Sequence, residues 1–82
     1  MAGFRDLHNR LIILLLNRIR GGELTERRLA RMTGVSQPHI HNVLKGKRLF
    51  SAETADLVLR ELDLDILDLI DPLELLQWRN RG

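Results

Sequence analysis

The stretch from Thr25 to Lys45 leaves this chain little choice of local structure. Thr25 is a good helix N-cap, and the acid that follows it, Glu26, suits the positive end of a helix. Leu29, Met32 and Thr33 then recur at helical spacing, with arginines between them. Gly34 is the residue type that takes the left-handed conformation at a helix end. Val35 reads as the apolar plug of a turn. Ser36 caps a second helix, whose apolar positions Ile40, Val43 and Leu44 share one face. Two short helices joined by so few residues must cross steeply, with their backbones close together. Ala30 supplies the small side chain that such an approach needs.

The rest of the chain reads as helices packed around this unit. From Phe4 to about Arg20, the positions Phe4, Leu7, Leu11, Leu14, Leu15 and Ile19 trace a helical stripe. Ile12, Ile13 and Leu16 lie off it, so this helix is central in its domain or covered by a partner. His8 is expected on its exposed side. Gly21-Gly22 ends the helix, and Met1 to Gly3 is a loose start. Beyond the second motif helix, Lys45-Gly46-Lys47-Arg48 forms a basic turn with Gly46 as terminator, and Leu49-Phe50 packs back as an anchor. Ser51 caps a fourth helix reaching about Leu62, with Ala55, Val58, Leu59 and Leu62 inward. Asp65 opens a short fifth helix, Ile66 to Ile70. Asp71-Pro72 signals a sixth start, with Leu73, Leu75, Leu76 and Trp78 following, before a polar end from Arg79 to Gly82. The apolar segment 65–78 leaves two readings open. It folds back over Ile12, Ile13 and Leu16, or it pairs with its copy in a second subunit.

A chain of 82 residues is expected to form a single domain, 1–82, and its low aromatic content of 4% favours an all-α fold. With no cysteine there is no disulfide framework or thiolate metal site, which suits a reducing cytoplasm. The apolar run from Leu11 to Leu16 is too short to span a bilayer and lacks a signal-peptide cleavage pattern, so no membrane association is expected. The net charge of +2 conceals an asymmetry: residues 1–50 carry 10 basic and 3 acidic side chains, residues 51–75 carry 1 and 8. A basic half that holds the paired helices is a surface for a polyanion. Catalysis and cofactors find no support. There is no glycine-rich cradle, and Ser36 and Ser51 suit N-caps better than nucleophiles. His39 and His41, two apart on a helix, point away from each other and cannot share an ion. The acids Asp63, Asp65, Asp68, Asp71 and Glu74 lack the spacing and glycine of a calcium loop.

Across the 20-residue frame from Glu26 to Lys45, the small residue, turn glycine and apolar anchors fall at Ala30, Gly34, Ile40 and Val43. With Leu29-Ala30, Gly34-Val35-Ser36-Gln37-Pro38, Ile40 and Leu44-Lys45-Gly46-Lys47, the chain resembles the phage-repressor (Cro/XRE-type) helix-turn-helix family. The resemblance implies an all-α, five-helix, lambda-repressor-like domain over about residues 4–70; it does not explain the last segment, where the Asp71-Pro72 signal points to a short sixth helix. It also implies sequence-specific binding of duplex DNA through a recognition helix at about 36–45, in a transcriptional regulator of bacterial or phage type, most simply a repressor. So small a module reads few base pairs, which points to a homodimer through the C-terminal apolar segment. Antitoxins share the Ser-Gln-Pro start of the recognition helix, so a toxin partner is the alternative, followed by a protein-interaction module that has lost DNA binding.

With Ile40, Val43 and Leu44 inward, Pro38, His41, Asn42 and Lys45 face outward and Gln37 and His39 lie on the flanks. Gln37, Pro38, His41 and Asn42 fall where the phage repressors place base-reading side chains. The amides of Gln37 and Asn42 suit adenine, His41 can donate to guanine, and Pro38 can touch a thymine methyl. Phosphate contacts are expected from Thr25 and the helix start it caps, and from Arg27, Arg28, His39, Lys45, Lys47 and Arg48. The chain departs from many relatives at Glu26, where they have a glutamine that bonds phosphate and the recognition helix. A carboxylate there repels phosphate, and pairs instead with an arginine or orients a recognition-helix side chain. Thr33, where an apolar residue is usual, is a milder departure.

Overall fold

The computed structural model describes residues 3–70 together with Leu73, Leu76 and Gln77. Over residues 3–70 the chain forms four α-helices, α1 (Phe4–Arg20), α2 (Glu26–Thr33), α3 (Gln37–Leu44) and α4 (Ala52–Glu61), then a 3₁₀ turn at Ile66–Leu69; Leu73, Leu76 and Gln77 are helical as well. Helix α2 packs against α3 and α4, while α1 packs against α3 and the 3₁₀ turn. The core draws on every element. Leu11 and Leu15 come from α1, Leu29 from α2, Ile40 and Val43 from α3, and Val58 from α4, all essentially inaccessible to water. Phe50, from the α3–α4 connection, is equally buried and fills the space between the helices. Each such side chain contributes about 1.5–3 kcal/mol on burial.

The capping signals act as the sequence implies. The Ser51 hydroxyl accepts from the Thr54 N–H at 3.1 Å and starts α4. Helix α1 has acidic Asp6 in its first turn and Arg18 and Arg20 in its last, matching the helix dipole. The double glycine ends it, with the Glu23 N–H donating back to the Arg18 carbonyl at 2.9 Å. Helix α4 stops without a glycine. Asp63 takes the left-handed conformation, φ 56°, so that the Leu64 N–H reaches the Leu59 carbonyl at 2.7 Å.

Three expectations need correcting. His8 is not exposed: it is 3% accessible, and its Nε2 accepts the backbone N–H of Phe50 at 3.0 Å. Position 8 follows Phe4 by one turn and precedes Leu11 by three residues, so it lies on the inner stripe. Burial is met on one side of the ring only: Nε2 supplies the acceptor that the Phe50 N–H needs, while Nδ1 is buried without a hydrogen-bond partner. The Phe4 and Phe50 rings flank the imidazole at 5.8 and 5.7 Å between centroids. Of the Leu49-Phe50 anchor, only Phe50 is buried, and Leu49 stands exposed.

The third correction concerns the fifth helix, which is reduced to the single 3₁₀ turn. The Asp65 N–H is taken by the Asp68 carboxylate at 2.7 Å, and Ile70 is already extended. The Leu69 carbonyl, which a continuing helix would use internally, accepts from the Arg10 guanidinium of α1 at 3.2 Å. This clasp brings Leu69 into the core but leaves Ile13 of α1 59% exposed. Ile12 and Leu16 are half-buried against the core. The fold-back reading therefore holds for Leu69 and not for a cover over Ile13. The sixth helix start at Asp71-Pro72, and Leu75 and Trp78 after it, lie outside the described residues. No helix among the described residues is long and apolar enough to cross a membrane.

Candidate nucleic-acid interface

The turn between α2 and α3 is closed from within. The Thr25 hydroxyl accepts the Arg28 N–H at 3.0 Å, which starts α2. At the other end Gly34 adopts φ 73°, and its N–H donates to the Ala30 carbonyl at 2.9 Å. Thr33 explains its own departure from an apolar residue. Its hydroxyl donates to the Leu29 carbonyl at 2.8 Å and accepts the Val35 N–H at 3.2 Å, so one side chain ties the helix end to the turn. Val35 packs against the core as the plug. The Ser36 hydroxyl accepts the His39 N–H at 3.4 Å, and Pro38 sits in the first turn of α3, where no N–H is required. The Lys47 N–H caps the far end on the Asn42 carbonyl at 2.9 Å, with Gly46 left-handed.

These constraints set the rotation of α3. Ile40, Val43 and Leu44 are buried, Gln37, Pro38, His41 and Lys45 are exposed, and His39 and Asn42 are half-buried. Gln37, Pro38, His41 and Asn42 line one shallow surface depression together with Glu26. Glu26 is the first residue of α2, and its carboxylate lies 3.2 and 3.3 Å from His41 Nδ1 in the middle of α3. Of its two expected uses, pairing with an arginine or orienting a recognition-helix side chain, the structure has the second.

The basic residues divide by use. Arg10 pairs with Asp6 at 3.6 Å and Arg60 with Asp56 at 3.2 Å, both one helical turn apart. Arg27, Arg28, Lys45, Lys47 and Arg48 are exposed and make no ion pair with any described acid. Their charge is left to solvent or to an anion. Thr25 is exposed and retains its hydroxyl proton as a donor while accepting from Arg28. Of the N–H groups from Thr25 to Arg28 expected to be free at the start of α2, that of Arg28 is consumed by the cap, leaving those of Thr25, Glu26 and Arg27. Among the described residues no three His, Asp or Glu side chains are grouped to hold a metal ion.

A protein-family model described as helix-turn-helix, of the Cro/C1 type, matches residues 18–69. The chain belongs to the Cro/C1-type (XRE) helix-turn-helix family. No curated protein and no solved structure matches it significantly. Membership makes it a DNA-binding regulatory domain with no strand among its described residues. The match starts inside α1 at Arg18 and stops with the 3₁₀ turn, so His8 and Arg10 lie outside it. Both act on the scaffold of this XRE domain, and neither belongs to the depression on α3. Sequence reasoning missed the His8 acceptor and the Arg10 clasp. Each depends on a backbone group that is remote in the chain, and no local spacing signals it.

Proposed function

We propose that this chain is a transcriptional repressor that inserts α3 into the major groove of operator DNA and reads bases with Gln37, Pro38, His41 and Asn42. The observation that carries the reading is the common depression these four side chains line on the exposed side of α3. The Gln37 and Asn42 amides offer a donor and an acceptor each, matching adenine N6 and N7, and Pro38 suits a thymine methyl. Thr25, Arg27, Arg28, Lys45, Lys47 and Arg48 contact phosphates, the last five with charge that no described acid neutralises. His39, half-buried and one residue after Pro38, contributes a ring N–H at the edge of the same face. The protein works in the cytoplasm at the nucleoid.

Exposed Leu67, Leu73 and Leu76, with Ile13 on α1, support a protein contact through the C-terminal segment. A second copy of the chain is the partner favoured, because two recognition helices on half-sites about 34 Å apart read a longer operator than one. A toxin bound by the same residues is the alternative, and light scattering of the isolated chain separates them by the presence or absence of a dimer. The test of DNA binding is selection from a random duplex pool, repeated over a range of salt. Affinity is expected to fall steeply with salt, about 0.9 in logarithmic slope for each phosphate neutralised. Binding without sequence preference or salt dependence overturns the proposal.

A further inference from the structure

We infer that Glu26 determines which base His41 reads, by fixing which ring nitrogen carries the hydrogen. The inference rests on the DNA-reading role of α3 proposed above. Both carboxylate oxygens of Glu26 lie within reach of His41 Nδ1, at 3.3 and 3.2 Å. An ionised carboxylate can only accept, so Nδ1 is the donor in this contact. In the neutral ring, Nε2 is then the bare nitrogen, an acceptor without a hydrogen. The ring stands exposed beside Gln37, Pro38 and Asn42, with Nδ1 held by α2 and Nε2 left for whatever enters the depression.

This changes the chemistry expected from residue type alone. Histidine can donate to guanine, but a neutral His41 whose only N–H is committed to Glu26 presents an acceptor. In the major groove an acceptor matches the amino groups of adenine N6 and cytosine N4, and opposes guanine O6 and N7 and thymine O4. A histidine without such a tether can place its hydrogen on either nitrogen and accommodate both kinds of base edge. The contact bridges residues fifteen positions apart, on two helices that pack against each other across a short turn. Holding the ring therefore restricts its rotation as well as its tautomer. Glu26 is a positioning residue: it selects through His41 and contacts no base. Its carboxylate, unsuited to phosphate at the start of α2, has this as its role.

The experiment uses the full chain as wild type, Glu26→Ala, His41→Ala and the double variant. Ring nitrogen shifts of His41 are measured by ¹⁵N NMR at about pH 8.5, where an imidazole is neutral, and duplexes are selected from a random pool in the same buffer. The wild type is expected to carry its hydrogen on Nδ1 and to favour adenine or cytosine at one position about tenfold over guanine and thymine. Glu26→Ala, with unchanged helix content by circular dichroism, should bring that preference to within about twofold and let the ring hydrogen distribute over both nitrogens. Preferences set by Gln37 and Asn42 should persist. His41→Ala should erase the same position, and the double variant should match it. A wild-type ring with its hydrogen on Nε2, or selection unchanged in Glu26→Ala, overturns the inference and leaves DNA reading standing. A wild type that selects no sequence overturns the DNA reading itself, and this inference with it.

Discussion

The backbone N–H of Phe50 donates to His8 Nε2 at 3.0 Å, joining α1 to the α3–α4 connection across 42 positions of sequence. The bond is buried and requires a neutral ring, because a doubly protonated imidazole has no acceptor left. Burial disfavours the charged form and holds the His8 pKa below its ordinary 6.5. The unfolded chain therefore binds this proton more readily than the folded one. Stability from His8 is full above about pH 6.5 and is lost as pH falls toward the lower folded value. Thermal unfolding followed from pH 8 to 5 should show a falling Tm over the acid half of that range. His8→Leu should flatten this acid-side slope. It should also cost about 1–3 kcal/mol at neutral pH, since the Phe50 N–H is left buried without a partner.

Arg10 secures the chain beyond α4 through the Leu69 carbonyl. Arg10→Met keeps the aliphatic stem and removes the donor, so the 3₁₀ turn should open locally while the four helices persist. Hydrogen exchange is expected to accelerate at Asp68 and Ile70, whose N–H groups form that turn, with a loss of about 1 kcal/mol in global stability.

Asp63 ends α4 in a left-handed conformation that glycine adopts more readily. Asp63→Gly should raise stability by about 0.5 kcal/mol, while Asp63→Val, branched at Cβ, should lower it by about 1–2 kcal/mol. Denaturant midpoints of the two variants against wild type check the order.

At Gly34 the question is whether strain or crowding decides. A Cβ there would meet nothing within 4 Å, so only the backbone opposes a side chain. Gly34→Ala should cost about 1–2 kcal/mol from the left-handed conformation alone, and Gly34→Asn less than Gly34→Ala. Equal losses for the two would point to a neighbour in the way.

At the interface, base-reading and phosphate contacts should separate by what their loss does. Asn42→Ala or Gln37→Ala should cost about 1–3 kcal/mol for the preferred duplex and relax the preference at one position. Replacing Arg27 and Arg28 by glutamine should weaken all duplexes alike and reduce the salt slope by about 1.8. Filter binding at several salt concentrations, with the selected duplex and a scrambled one, distinguishes the two outcomes.

How much of this could be read in advance depended on how local each requirement is. The Thr25 and Ser36 caps, the left-handed Gly34 and the inward Ile40, Val43 and Leu44 all answer to residues within a few positions. Each stands where spacing puts it. His8 carried a readable signal too, since it lies on the stripe of Leu11 and Leu15, but its polarity argued for the surface. Nothing near His8 announces that Phe50 needs an acceptor. The fifth helix failed for the same reason: Ile66 to Ile70 has helical spacing, yet Arg10 takes the carbonyl that the next turn would use.

The sequence alone determined the α2–turn–α3 unit and the inward face of α3. Those follow from capping, chirality and periodicity, which act over one or two turns. The tertiary structure decided which of the exposed polar groups meet. Glu26 could have paired with an arginine on its own helix, and the packing of α2 against α3 placed His41 against it instead. Periodicity sets the face a side chain points to, while the angle and distance between helices come from a shared core. The partner of Glu26 therefore became visible only in the packed molecule.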